Sequence, residues 1–411
     1  MAKTAFHSSD EQYKQYAARS IDKALSDGRL TTKDAKFVKE FLAEVNIQNN
    51  LSAKRRFKLA SNLITALSFL PSSVTEWDLN DVYEGFDSLQ NATKKIDSSR
   101  GRAGEEYSVN TRADLVRILK RFVLWMIDSG YLSLNAEKIK KVRVPGYEPK
   151  AGGDESCLSG EEIIKLINQP KTIRYRSFIS ILYESGCRIH ELAELRWKDV
   201  DWQVWGCTIT TRGKTGRERR IPIIIYREHL AKWRSEHPEP ENPDAHVFLN
   251  LHNKPLKYQN VVKYLKKFAR DAGIKKPFTP HMMRHTRITD VLRNGMSETL
   301  AKKIYWGNLT TDMIKVYAHL TDDDARNEMA RLAGVDIEDR ESDNTLKPIQ
   351  CGSCTATMPP GSRFCGRCGM PLTRQAIKDV KTAERVVEDW LTASPSRTIE
   401  LAERIQRDKQ V

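Results

Sequence analysis

Five residues suited to cleaving a phosphodiester without a metal occur in one order along the chain: Arg188, Lys214, His281, Arg284 and Tyr317. A phosphodiester carries one negative charge, and more charge develops in its pentavalent transition state. Two guanidinium groups can clamp the non-bridging oxygens by forked, charge-assisted hydrogen bonds. A lysine or a histidine can transfer protons, and a tyrosine hydroxyl can attack phosphorus to give a covalent intermediate. These residue types together predict cleavage of DNA.

Arg188 is expected at a corner between two helices. An apolar run that is typical of a buried helix precedes it and stops at Gly186. A second helix then begins and carries Leu192 and Leu195. Glu191 lies one turn from Arg188 and is placed to hold its guanidinium. A surface arginine paired with Glu191, without a catalytic role, is the alternative interpretation.

Lys214 is expected at the basic tip of a β-hairpin. The strand candidates are residues 207–211 and 219–224, and residues 212–217 form the turn between them. Basic hairpins contact phosphates or enter DNA grooves. A solvated charged turn is the alternative for this segment.

His281 and Arg284 are three residues apart on a helix that Pro280 helps to start, so they share one face. That spacing suits a proton carrier beside a phosphate clamp, although a histidine that caps its own helix fits equally. Tyr317 lies in a segment, residues 310–320, whose periodicity is typical of an amphipathic helix. Periodicity alone would make it a half-buried core aromatic. Its place in the ordered set of residues favours a nucleophile.

Together these segments resemble the tyrosine recombinase (phage integrase) family over roughly residues 155–335. The family pattern is an arginine in Gly-x-Arg-x-x-Glu-Leu, a hairpin Gly-Lys, His-x-x-Arg, a Gly-His or Trp position, and a tyrosine in Tyr-x-His. The resemblance implies that the arginines bind the phosphate and that the lysine is the general acid for the leaving 5′ oxygen. It further implies that the histidine assists proton transfer and that the tyrosine becomes a 3′-phosphotyrosyl group. The matching residues are Arg188, Lys214, His281, Arg284 and Tyr317.

One position departs from the family pattern. The Gly-His pair, with its histidine nine residues before the tyrosine, falls on Gly307-Asn308. Asn308 can donate a hydrogen bond from its amide but cannot carry a proton. Shifting the alignment by two residues would give Trp306 the tryptophan role. The ungapped spacing favours Asn308, and the substitution bears on the rate rather than on the reaction class.

Length and charge favour a multidomain protein with a polyanionic partner. The chain has 411 residues, enough for two or three domains, and a net charge of +14 from 68 basic and 54 acidic residues. Charge alone would also fit a ribosomal or membrane-surface protein. The sequence contains no run of about 18 apolar residues, so no membrane span is predicted. Residues 1–4 lack the apolar core of a signal peptide. The isolated Cys157, Cys187 and Cys207 fit a reducing cytoplasm.

The N-terminal third is predicted to be helical and basic. Thr31 and Asp34 form a helix-start signal, and residues 115–126 form an amphipathic helix that Gly130 ends. The polar face of that helix favours a surface that contacts DNA, and a merely solvated face is the alternative. This part resembles the core-binding domain of the family. The basic residues of that face are Arg112, Arg117, Lys120 and Arg121.

Four cysteines near the C-terminus have the spacing of a zinc site. Two CxxC pairs, Cys351 with Cys354 and Cys365 with Cys368, are separated by ten residues. Four thiolates leave no open coordination position, so the predicted zinc is structural, and so short a segment needs it to fold. Redox dithiols or an iron–sulfur site are the alternatives. The segment resembles a zinc ribbon of the kind appended to some archaeal integrase-like recombinases.

The sequence therefore predicts a mainly α fold with an α+β tyrosine-recombinase catalytic domain that contains a small β-hairpin or sheet. We assign a helical core-binding domain that clamps DNA, a linker, the catalytic domain, a zinc ribbon and a C-terminal helical tail. Their boundaries are 1–140, 141–155, 156–340, 347–373 and 374–411.

The leading functional hypothesis is a site-specific recombinase or integrase. It would bind double-stranded DNA as a homotetramer on two sites and exchange strands through a Holliday junction, with no nucleotide, no catalytic metal and no membrane. The same chemistry serves integration or excision of mobile elements and resolution of chromosome dimers. The alternatives are a DNA-binding regulator that has lost the chemistry, for which Asn308 is the sequence hint, and a type IB topoisomerase-like enzyme that relaxes DNA.

Overall fold

The computed structural model of the chain describes residues 6–71, 73–94, 103–147, 157–213, 216–317, 329–330, 333–334, 346–393 and 399. The chain divides into two compact units, Met1–Lys150 and Ala151–Val411.

Short polar side chains set the first residue of several helices. Thr31 Oγ1 accepts from the Asp34 N–H at 3.1 Å, and Asp34 Oδ2 accepts from the Thr31 N–H at 3.1 Å. Ser159 and Glu162 repeat this reciprocal arrangement at 3.2 and 2.8 Å. Each pair satisfies amide donors that the first helical turn leaves open. The helix start predicted at Thr31 is confirmed.

The first unit is helical and has its own apolar core. Phe41, Phe122 and Trp125 form an aromatic cluster in it, with ring centroids 5.4–5.8 Å apart. Phe122 has no exposed surface, and the Trp125 indole donates to Glu44 at 2.7 Å. The helices are α1 (Asp10–Ser26), α2 (Thr32–Asn49), α3 (Ala53–Leu67), α4 (Leu79–Gln90), α5 (Val109–Asp128) and α6 (Ala136–Lys140).

The second unit combines helices with a three-stranded antiparallel sheet of order β1-β2-β3. Its strands are β1 (Val200–Gln203), β2 (Gly206–Arg212) and β3 (Glu218–Ile223). Its helices are α7 (Gly160–Asn168), α8 (Ile173–Ser185), α9 (Ile189–Ala193), α10 (Arg227–Ser235), α11 (Tyr258–Asp271), α12 (Pro280–Arg293) and α13 (Glu298–Ala301). A two-stranded ribbon, β4 (Ile349–Gln350) with β5 (Thr357–Met358), and α14 (Arg374–Ala393) follow.

Helix α8 is the central element of the second unit, because α7, α10, α12 and strand β3 all pack on it. The buried Glu184 near its end accepts from three successive backbone N–H groups, those of Ile224, Ile225 and Tyr226, at 2.6–2.8 Å. This carboxylate fixes the end of the sheet to α8. The helix ends at Gly186, whose φ of +55° suits glycine. A Cβ there would lie 2.8 Å from the Tyr305 ring.

The predicted mainly helical fold with a small antiparallel sheet is confirmed, and β1 extends the predicted hairpin to three strands. Two local predictions differ from the structure. The helix after Arg188 is short, so Leu195 lies beyond it. The segment Asp312–Tyr317 is a 3-10 helix rather than an α-helix, and the predicted continuation to Leu320 lies outside the described residues.

The predicted linker and the predicted C-terminal tail are each described only in part. Of the linker predicted at 141–155, residues 148–155 lie outside the described residues, as do 394–398 and 400–411 of the predicted tail. In the described ranges, no helix is both long and apolar enough to cross a bilayer.

Candidate active site

Arg188 stands at the start of α9, at the corner predicted from the sequence. Its backbone N–H donates to Glu191 Oε2 at 2.8 Å, and its Nη1 donates to Glu191 Oε1 at 3.1 Å. The Glu191 side chain has no exposed surface, whereas that of Arg188 is 37% exposed. A buried carboxylate therefore orients a guanidinium that remains accessible to a ligand.

Arg284 is buried in α12 and is held by two backbone carbonyls. Its Nη1 donates to Gly186 O at 2.5 Å and its Nη2 to Tyr305 O at 2.8 Å. Because Gly186 lies two residues before Arg188, the corner that carries the first arginine also anchors the second. The Arg284 guanidinium carbon also lies 5.2 Å from the centre of the Trp306 ring. The fold thus brings together two arginines that are 96 positions apart in sequence.

His281 lies at the start of α12, immediately after Pro280 at the first helical position. It is exposed, whereas Arg284, one turn further along, is buried. The helix start that the sequence predicts from Thr279-Pro280 is confirmed. One helix therefore carries a histidine at the surface and a clamp candidate beneath it.

Asn308 follows a π-helical turn, Lys302–Trp306, that ends at Gly307. Its side-chain oxygen accepts from the Thr310 N–H at 3.2 Å and from Thr310 Oγ1 at 2.9 Å. The side-chain oxygen is thus occupied by Thr310, and the amide nitrogen is the atom of Asn308 that can donate a hydrogen bond to a ligand. Trp306, the other candidate for this position, packs against Arg284.

Two of the predicted residues, Lys214 and Tyr317, are located through the elements around them. Lys214 lies outside the described residues, although its hairpin is confirmed and Gly213 bonds across the tip to Arg217 O at 3.0 Å. The backbone of Tyr317 ends the 3-10 helix, but its side chain lies outside the described residues. Ile314 of the same helix is buried in a cluster with Ile288 of α12. The tyrosine segment is therefore anchored to the helix that carries Arg284.

The sequence interpretation missed a third arginine, Arg219 of β3. Only 2% of its side chain is exposed, and it donates to the buried Glu191 carboxylate. Burial alternates along β3, so Arg219 shares the inward face with Ile221 and Ile223. A charge on the apolar face of a strand needs a buried partner. That alternation was the available signal, but it does not identify Glu191 as the partner.

The charge state of Glu191 follows from these contacts. Burial alone would raise the pKa of its carboxyl, but the charge of Arg219 and the hydrogen bonds from Arg188 outweigh burial. The pKa therefore lies below its ordinary value of 4.5. Glu191 is ionised at neutral pH and serves as the shared counter-charge of two arginines.

The four C-terminal cysteines converge on one point. Their sulfur atoms all lie within 4.8 Å of one another, close enough to hold a metal ion. Cys351 Sγ lies 3.6 Å from Cys368 Sγ, and Cys354 Sγ lies 3.6 Å from Cys365 Sγ. The backbone N–H groups of Cys354 and Ser353 lower the pKa of the Cys351 thiol to about 6, which favours a thiolate.

The basic face of α5 is partly used within the first unit. Lys120 donates to the carbonyls of Lys140 and Val142 at 2.6 and 2.8 Å, so it closes the end of α6. Arg112 pairs with Glu106 at 3.3 Å, whereas Arg121 is exposed. Of these residues, Lys120 has an evident structural task, which periodicity alone does not reveal.

Comparison with known proteins adds independent findings. The Phage integrase family matches residues 157–324. The tyrosine recombinase XerD of Listeria innocua is 31% identical over 227 residues, which cover 53% of this chain and 74% of that protein. Transposase A from transposon Tn554 of Staphylococcus aureus is 29% identical over 188 residues, 42% of this chain and 50% of that protein. A lambda integrase dimer bound to a COC′ core site has a TM-score of 0.52 at 16% identity, covering 69% of this chain and 76% of that one. At that identity the likeness concerns the fold.

Proposed function

The chain belongs to the phage integrase family of tyrosine recombinases, and on that premise we propose that it cuts and rejoins DNA strands at specific sites through a 3′-phosphotyrosyl intermediate. One observation carries the proposal. The corner at residues 186–188 both presents the accessible Arg188 and accepts a hydrogen bond from the buried Arg284. Two guanidinium groups set by the same turn suit the oxygens of one phosphate.

The reaction assigns one role to each residue. Tyr317 Oη gives its proton to His281 and attacks phosphorus, the bond from phosphorus to the 5′ oxygen breaks, and the leaving oxygen takes a proton from Lys214. Arg188 and Arg284 neutralise the charge on the non-bridging oxygens, and His281 assists proton transfer. Attack by a different 5′-hydroxyl reverses the steps and releases the tyrosine. Asn308 supports the phosphate by donating from its amide.

The energy of the broken bond is kept in the phosphotyrosyl bond, so the reaction needs no nucleotide. The two arginines supply the charge neutralisation for which other enzymes use a metal ion. Exchange between two duplexes requires four cleavages, and each cleavage occupies one tyrosine. We therefore propose a homotetramer on two double-stranded DNA sites that passes through a Holliday junction. The net charge of +14 suits a polyanionic partner. The buried thiols of Cys157, Cys187 and Cys207, which form no disulfide, support a reducing cytoplasm.

The cysteine cluster is proposed to hold one structural zinc ion. Tetrahedral zinc with bonds of about 2.3 Å separates its sulfur ligands by roughly 3.8 Å. The two sulfur pairs at 3.6 Å are close to that spacing. Cys351, Cys354, Cys365 and Cys368 would fill all four positions, so the ion would hold the ribbon together without touching a substrate.

A covalent-trapping assay tests the proposal. Wild type and Tyr317→Phe are incubated with labelled, nicked duplex DNA without added divalent metal, and adducts are resolved on a denaturing gel. Tyr83→Phe, an exposed tyrosine of α4, is the matched control. We expect a protease-sensitive adduct with wild type and with the control, and none with Tyr317→Phe despite unchanged DNA binding.

Two results would count against the proposal. An adduct that persists in Tyr317→Phe places the nucleophile elsewhere. Tight binding of wild type to several candidate DNA sites without any adduct favours a DNA-binding regulator that has lost the chemistry.

A further inference from the structure

We propose that Arg219 is a positioning residue that holds both candidate phosphate-binding arginines in one arrangement. It would act through the Glu191 carboxylate and the Tyr305 carbonyl. The inference rests on the proposed function, because it takes Arg188 and Arg284 as the phosphate clamp.

The first connection runs through Glu191. Arg219 Nη2 donates to Glu191 Oε2, and Glu191 Oε1 accepts from Arg188 Nη1 at 3.1 Å. Arg219 thus provides a buried positive charge beside the Glu191 carboxylate. A single nitrogen of the Arg188 guanidinium, Nη1, completes the side-chain pairing. Without Arg219, the carboxylate would draw more of the Arg188 guanidinium toward itself, because Arg188 would be its remaining cation. Donors that face a phosphate would then face Glu191.

The second connection runs through one carbonyl oxygen. Tyr305 O accepts from Arg219 Nη1 at 2.5 Å and from Arg284 Nη2 at 2.8 Å. A carbonyl has two lone pairs, so both guanidinium groups can bond to it at once. Because Arg219 fixes this oxygen from the sheet side, Arg284 meets its acceptor at a set position.

The third connection is a packing contact. A Cβ on Gly307 would lie 3.0 Å from Arg219 Cγ, and Gly307 has a φ of +63°. The stem of Arg219 therefore lies directly beneath the turn that presents Asn308. Arg219 also donates to Thr211 Oγ1 on β2 at 3.1 Å, which fixes it within the hairpin that leads to Lys214. One buried side chain thus contacts the elements that carry Arg188, Asn308 and the hairpin tip, and it shares an acceptor with Arg284.

Single-turnover cleavage of a nicked substrate at saturating DNA distinguishes positioning from stability. We expect Arg219→Lys and Arg219→Met to cleave about 10²-fold more slowly, the loss typical of a catalytic group displaced by about 1 Å. DNA affinity should change far less than the rate. Lysine keeps the charge but offers one nitrogen where the guanidinium spans three acceptors.

Arg287→Lys is the matched control for loss of an arginine that is bonded within the fold, and its side chain is 17% exposed. Arg287 lies on α12 in the same unit and donates to Glu184 O and to Asp290, both at 3.1 Å. All variants are assayed at a temperature where thermal unfolding shows each of them to be folded. We expect Arg287→Lys to lower the melting temperature and to keep the wild-type cleavage rate. Equal rate losses in both arginine variants would reduce Arg219 to a stability role.

A double-mutant cycle provides a second readout. If Arg219 acts through Arg188, adding Arg219→Lys to Arg188→Ala costs much less than the 10²-fold expected in the wild-type background. Fully multiplicative losses would overturn the inference. If both Arg219 variants cleave at the wild-type rate, the inference is overturned and the proposed function stays intact. Failure of the proposed function gives a different result, because the wild-type protein would then form no covalent adduct at Tyr317.

Discussion

Replacing Glu191 with glutamine tests whether the arginine site depends on one buried carboxylate. The change keeps the side-chain shape and removes the negative charge. The carboxylate now accepts at both oxygens, from Arg188 Nη1 at Oε1 and from the Arg188 N–H and Arg219 at Oε2. Glutamine has one acceptor oxygen, so one of these two sets of bonds must be lost. The amide NH₂ would then face other donors.

The expected cost follows from burial. Glu191 has no exposed side-chain surface and that of Arg219 is 2% exposed, so the arginine would keep its charge without a counter-ion. Breaking a buried ion pair from one side costs about 3–5 kcal/mol. At roughly 2–4 °C per kcal/mol for a domain of 150–250 residues, the melting temperature of this unit should fall by about 6–20 °C.

Glu161→Gln on α7 is the matched control. Its side chain is 72% exposed and pairs with Lys165 at 3.3 Å. An exposed pair of this kind contributes about 0.3–0.5 kcal/mol. Chemical denaturation at pH 7 should therefore separate the two Glu→Gln variants clearly.

The stability difference should also depend on pH. The folded-state pKa of Glu191 is lowered, so its contribution is fully present above the unfolded value of 4.5 and is lost as the pH falls through the folded pKa. The gap between wild type and Glu191→Gln should thus be widest at neutral pH and should narrow below pH 4.5. A gap under 1 kcal/mol at pH 7, or one that widens in acid, would refute the assignment of Glu191 as a buried counter-charge.

Three further predictions concern other parts of the chain. Chelation should release about one zinc ion per chain and unfold the ribbon while DNA cleavage continues; cleavage that requires the metal would contradict a structural role. Gly307→Ala should lower the free energy of unfolding by about 1–3 kcal/mol, because alanine resists a φ of +63° and its Cβ meets Arg219. Chemical denaturation measures this loss, and an unchanged free energy of unfolding would contradict it. Phe122→Ala should destabilise the first unit by about 3–5 kcal/mol, since that ring is fully buried; a loss near zero in denaturant unfolding would place the ring outside the core.

Local signals predicted much of the architecture. The capping pair at Thr31, the end of α8 at Gly186 and the hairpin around residue 214 involve neighbours in sequence, and the structure contains each of them. The pairing of Arg188 with Glu191 is equally local, because three residues separate them. The helix after Arg188 was predicted too long, since periodicity does not register where a short helix ends before a strand.

Distant contacts were beyond such signals. Arg284 bonds to a carbonyl 98 residues away, and Arg219 bonds to partners 28 and 86 residues away. The sequence shows that Arg219 is a charged residue on an apolar strand face, but it does not show which carboxylate meets it. The helical pattern likewise places Lys120 on a DNA-contacting face, whereas its side chain bonds to Lys140 O in α6 and to Val142 O just beyond that helix.

By itself, the sequence determined the chemical groups, their order and the cysteine spacing, because these depend on residue identity and on neighbours within one or two turns. The tertiary structure decided which groups share a partner. It placed Glu191 between Arg188 and Arg219, and it set one carbonyl, Tyr305 O, between Arg219 and Arg284. These arrangements arise because buried charges must find counter-charges and acceptors wherever the folded chain brings them, and sequence spacing carries no record of that path.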